Sequence, residues 1–167
     1  MRALFVLASV IAVLSAAPAA AQEPVGCDKF SLPVEQEMAA LRAPNLKVVA
    51  SGSNVAETPF AAMLLLAPIK AAQLPKAPER APNEDTFAGY LSVAAVAPGT
   101  YSISLSDAAW VDVLQNNRFL KARAHSGARG CPGIRKVLRF DLTSKSFVVQ
   151  FSGATTGRLG VAIMPAK

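Results

Sequence analysis

Apolar and polar residues alternate through much of the second half of the chain. Between Gly99 and Leu114 the sequence reads G-T-Y-S-I-S-L-S-D-A-A-W-V-D-V-L, and Tyr101, Ile103 and Leu105 alternate with Ser102, Ser104 and Ser106. A period of two sends successive side chains to opposite faces of a strand. The apolar row is therefore expected on a core and the hydroxyl row in water. Pro98-Gly99 opens this strand and Ser106-Asp107 closes it. The same pattern predicts strands over 86–94, 110–114, 118–125, 135–142, 146–152 and 158–164. Gln115-Asn116-Asn117 joins the strands 110–114 and 118–125 as a tight turn, because Asn tolerates the left-handed conformation.

The first half is less regular. Val34, Met38 and Leu41 share one helical face, Pro33 suits a first turn behind a Ser31 cap, and Pro44 is a stop. A short helix is expected over 33–42. Strands are expected over 46–50 and 60–66; the second is strongly apolar and short, between Pro59 and Pro68. Residues 68–82 carry four prolines and read as an extended connection wrapped over the surface. Turns at this spacing predict a mainly β fold, an antiparallel jelly-roll-like β-sandwich with a short N-terminal helix.

Residues 1–21 read as a signal peptide: Arg2, an apolar run from Leu4 to Leu14, and Ala19-Ala20-Ala21 before Gln22. That run falls short of the roughly 20 residues that span a bilayer, and no later run is long enough. The remainder, 22–167, is one domain with an N-terminal extension over 22–45. Export to the periplasm or beyond gives meaning to the two cysteines, Cys27 and Cys131, which are expected as a disulfide in an oxidising compartment.

Charge narrows the function. The chain carries 17 Lys and Arg against 11 Asp and Glu, a formal net charge of +6. Between Arg118 and Arg139 seven basic residues occur with no acidic one; Arg118, Arg123, Arg129 and Arg135 are the candidate ligand-binding cations among them. Such a run suits an anionic glycan or an envelope partner protein. Export and the scarcity of interleaved aromatics argue against nucleic acid. Trp110, the single tryptophan, is a candidate platform for a sugar, although its place before an alternating strand also suits core packing. His125 is the single histidine, so the imidazole-rich sites of zinc and non-haem iron lack their ligands, and neither a metal nor a cofactor is expected. No catalytic residue is assigned. A carboxylate-based hydrolase using Asp107 or Asp112 is the enzymatic alternative, and a structural subunit of an envelope assembly is the third reading.

Two resemblances add to this. The stretch from Phe87 to Pro165, with P-G-T-Y-S-I-S-L and paired closing strands, resembles the jelly-roll-type accessory domains of secreted bacterial enzymes. The motifs G-C-D-K-F, E-R-A-P, A-W-V-D-V and C-P-G-I-R-K resemble a group of small exported bacterial proteins of unknown function, some labelled homogentisate dioxygenase. The single histidine does not provide the ligand set that label implies. The resemblance implies a small exported β-sandwich, here expected to be a monomer.

Overall fold

The computed structural model describes residues 23–167; the expected signal peptide lies outside the described residues. Among the described residues twelve strands are distributed between two sheets. The first contains, in spatial order, β1 (Val48–Ala50), β3 (Phe60–Leu65), β12 (Arg158–Pro165), β6 (Gly99–Leu105), β10 (Lys136–Leu142) and β9 (Ala124–Gly127). The second runs β2 (Asn54–Val55), β5 (Phe87–Val93), β11 (Phe147–Ala154), β7 (Trp110–Gln115) and β8 (Arg118–Leu120), with β4 (Ala67–Pro68) also on β5. The arrangement is sandwich-like and not a closed barrel. Both sheets are mixed, which corrects the all-antiparallel expectation: β1 pairs with β3, and β2 with β5, in parallel. These strands are short because the chain steps from one sheet to the other at Ser51-Gly52-Ser53. Gly52, at φ 86°, makes that corner, and its N–H donates to the Tyr90 carbonyl at 2.8 Å.

Alternation builds the core. Ile103 and Leu105 of β6, Leu138 and Phe140 of β10, and Leu159, Val161 and Ile163 of β12 face Val111 and Val113 of β7 and Phe147, Val149 and Phe151 of β11 in one buried cluster. Asn116 and Asn117 both adopt positive φ, 54° and 59°, in the two-residue turn from β7 to β8, as their side chains suggested.

The hydroxyl row of β6 departs from expectation. Ser102 and Ser104 are fully buried instead of facing water. They lie in register between Met164 and Ala162 on β12 and Arg139 and Val137 on β10. This outer face is covered by α1 (Glu35–Leu41), whose Leu41 packs with Val34, Ile134, Val137, Ala162 and Met164 in a second apolar cluster. Small side chains let the helix approach the sheet. The helix begins at Glu35, two residues later than expected, and Ser31 does not cap it. Val34 is the N-cap and no side chain caps the helix, while the Ser31 N–H donates to Ser126 Oγ at 2.8 Å.

Cys27 and Cys131 form the expected disulfide, with Cα atoms 4.8 Å apart. It fastens the N-terminal segment beside the loop after β9, where Gly26 N–H donates to the Arg129 carbonyl and Arg129 N–H to the Pro24 carbonyl, both at 2.8 Å. Among the described residues no helix is long and apolar enough to cross a membrane.

The expected strand over 118–125 is broken. Its first part, β8, is an edge of the second sheet, and its last part, β9, is an edge of the first. Lys121, Ala122 and Arg123 carry the chain across between them and offer the core no large apolar side chain. The sandwich is left with a mouth at this edge.

Candidate functional site

The proline-rich connection positions the site. Asp112 and Gln150 are out of phase with Val111, Val113, Val149 and Phe151, so they lie on the outer face of the second sheet. The connection crosses this face as a strap. Gln150 Nε2 donates to the Lys76 carbonyl at 3.0 Å, the Glu79 N–H donates to Asp112 Oδ2 at 3.3 Å, and Lys76 Nζ donates to the Asn117 carbonyl at 3.0 Å. Asp112 is thereby buried, only 3% exposed.

Trp110 shares this outer face with Asp112 and is 37% exposed, so the expectation of core packing does not hold. Its indole Nε1–H donates to Asp112 Oδ1 at 2.7 Å, which fixes the ring beside the strap. Two cations lie against it: the Arg80 guanidinium carbon and Lys136 Nζ are each 5.6 Å from the ring centroid. Both distances fall within the range of cation–π attraction. Lys136 is the first residue of β10, Arg80 belongs to the strap, and Trp110 is the first residue of β7.

Lys136 is electrostatically unusual. Burial first, then the neighbouring Arg135 charge, pulls its ammonium below the ordinary lysine value of 10.5; Glu23 opposes this, and Arg80 adds a smaller lowering effect. Its only hydrogen bond among the described residues is a long one, 3.4 Å, to the Ala109 carbonyl. Among the described residues no carboxylate lies within ion-pair distance of Lys136 or Arg80; the ion pairs are Lys29–Asp28, Lys70–Glu84, Arg123–Asp141 and Arg135–Glu23. A partly buried cation without an ion-pair partner favours an anion.

Three clefts meet at Lys136. One of about 390 Å³ lies between the N-terminal segment and β9, with Glu23, Ser31, His125 and Arg135 on its walls. A second, of about 340 Å³, lies under the strap and is lined by Arg80, Asn83, Trp110 and Ser152. The buried Ser152 hydroxyl there has no hydrogen-bond partner among the described residues. The third, also about 340 Å³, is the mouth of the sandwich, lined by Val111, Leu120, Leu138 and Phe140 and rimmed by Trp110 and Lys136.

The other expected site residues are dispersed. Arg118 is exposed at the start of β8, beside the Asn116-Asn117 turn. Arg123 is paired with Asp141 at 3.2 Å, and Arg139 donates to the Lys167 carbonyl at 2.8 Å. Arg129 is exposed in the loop that the disulfide fastens, and Arg135 is paired with Glu23 on the wall of the first cleft. Asp107 accepts from the N–H of Ala108 at 2.7 Å and so caps its own turn. The structure gathers Trp110 with Lys136, a member of the expected basic run, and with Arg80, which lies outside that run. Their signal was present in the motifs E-R-A-P, A-W-V-D-V and C-P-G-I-R-K, which supply Arg80, Trp110 with Asp112, and Lys136. Among the described residues no group of three His, Cys, Asp or Glu side chains is placed to hold a metal ion.

Comparison with protein-family models, with curated proteins and with solved structures returns no match.

Proposed function

We propose that this chain is an exported, non-catalytic binding module that holds an anionic glycan at the corner formed by Trp110, Lys136 and Arg80. The observation that carries this reading is Lys136: a partly buried ammonium against an aromatic ring that Arg80 also flanks, neither cation having a carboxylate partner among the described residues. A carboxylated or sulfated sugar offers what the corner lacks, a negative charge together with an apolar ring face for the indole. Asp112 serves this site as a positioning group, since its oxygens accept from Trp110, Glu79 and Gln150. The disulfide and the lack of a membrane-crossing helix among the described residues are compatible with a place outside the cytoplasm. We group the chain with the small exported proteins that its four motifs resemble.

The test is titration of a soluble acidic polysaccharide, with a neutral one as control, at low and high salt. Affinity for the acidic chain should fall as salt rises, and Lys136→Gln should weaken it by about tenfold. Equal affinity for the neutral chain, or a Lys136→Gln variant that binds as well as wild type, would overturn the reading. Binding of an acidic protein but no polysaccharide would replace the glycan with an envelope protein.

A further inference from the structure

The mouth of the sandwich differs in chemistry from the two polar clefts beside it. Val111, Leu120, Leu138 and Phe140 come from three strands and converge on a space of about 340 Å³ that is open to solvent. It exists because the chain leaves the second sheet after Leu120 and joins the first only at Ala124, so the edge between β8 and β9 has no strand to close it. Val111, Leu138 and Phe140 belong to the main core, so the mouth leads to core side chains and is not a surface dimple. Its rim carries Lys121, Lys136, His125, Trp110 and one acid, Glu79.

An apolar interior under a rim with two lysines against one acid matches one kind of small molecule: an apolar body ending in a single anionic group. The volume lies near the lower end of ligand pockets, which run from roughly 300 to 1,000 Å³, and this excludes bulky lipids. We infer that the mouth between β8 and β9 is a second ligand subsite, one that takes a medium-length acyl carboxylate with its chain against Leu120, Val111, Leu138 and Phe140 and its carboxylate at Lys136. The inference goes beyond the glycan reading and rests on it only through the shared Lys136. Occupation of both subsites by one molecule would require an acidic glycan that bears an acyl group.

Trp110 stands on the rim and is the only tryptophan in the chain, so its emission reports directly on this place. The experiment titrates the full mature chain with octanoate, acetate and octanol, reading Trp110 emission and the methyl resonances of Val111, Leu120 and Leu138. Octanoate should move both signals, whereas acetate, lacking the chain, should move neither and octanol should bind more weakly. Leu120→Gln should weaken octanoate by about tenfold while leaving the acidic polysaccharide unaffected, and Lys136→Gln should weaken both. Methyl resonances that stay still at saturating octanoate would overturn the inference, and so would a folded Leu120→Gln variant that binds octanoate as wild type does. In either case polysaccharide binding that persists leaves the glycan reading standing. Loss of polysaccharide binding with octanoate binding intact would remove the glycan reading alone.

Discussion

Replacing Asp112 by Ala tests whether the strap and Trp110 are held by one buried carboxylate. The substitution removes the acceptor for Trp110 Nε1–H at 2.7 Å, a charge-assisted bond of good length, and for the Glu79 N–H and Gln150 Nε2 at 3.3 and 3.4 Å, which are long. A hydrogen bond to a charged group contributes about 1.5–3 kcal/mol, and a buried donor left without a partner costs about 1–3 kcal/mol. Two reductions apply. Gln150 keeps its 3.0 Å bond to the Lys76 carbonyl, and the partly exposed indole can turn to water. The net loss should be about 2 kcal/mol. Urea unfolding is the assay, followed in parallel by Trp110 emission and by far-ultraviolet circular dichroism. With a urea slope of about 1–3 kcal/mol per molar for a small protein, the midpoint should fall by about 1 M. The native emission should also shift, because the ring loses its anchor. A midpoint unchanged within error, together with unchanged native emission, would refute the assignment of Asp112 as the group that fixes Trp110.

Three further outcomes follow from other contacts. Reduction of Cys27–Cys131, or Ser at both positions, opens a cross-link between residues 104 apart; the chain-entropy relation gives about 4.7 kcal/mol as the upper figure, so thermal unfolding should occur at a clearly lower temperature. Gly160→Ala should destabilise by about 1–3 kcal/mol in chemical denaturation, because a Cβ there would meet Ser106 Oγ at 2.8 Å and Ser106 Cβ at 2.9 Å, with Leu41 behind. Lys136 makes anion affinity depend on pH: its ammonium is held below 10.5 by burial, Arg135 and Arg80, with Glu23 opposing. An anion favours the charged form, so affinity should decline as pH rises through this lowered value, while Lys136→Arg stays flat across the same range. The charged form is disfavoured in the folded chain, and the unfolded chain keeps its proton up to 10.5. Lys136 therefore lowers stability fully below its folded value, and that penalty is relieved as pH rises between the two values.

The core was legible because its signal is local. Phe147, Val149 and Phe151, or Leu138, Phe140 and Leu142, declare their face through a period of two, and the structure buries them together. The disulfide followed from the expectation of export and an even cysteine count, and Asn116-Asn117 from the backbone tolerance of Asn. Ser102 and Ser104 were misplaced for a complementary reason: alternation tells that two faces differ but not what covers the polar one. Here α1 covers it, and nothing within β6 announces the helix. The break at Lys121–Arg123 was missed because alternation runs on past Leu120 while the strand changes sheets. The candidate site was the least legible part. Arg80, Trp110 and Lys136 lie on three segments, and only the strap over Asp112 and Gln150 brings Arg80 to the ring. The run of arginines drew notice by its density, yet Arg123 and Arg135 are each matched by a carboxylate.

The central claim is that Lys136 is the cation an acidic ligand meets. Its most direct test is an amine-reactivity footprint: the folded chain is labelled with a lysine-directed reagent, with and without acidic polysaccharide, and each lysine is quantified by mass spectrometry. The ligand should protect Lys136 strongly and leave the exposed Lys145, in the turn between β10 and β11, unchanged. Equal labelling of Lys136 in the two samples, under conditions where the polysaccharide is bound, would contradict that claim.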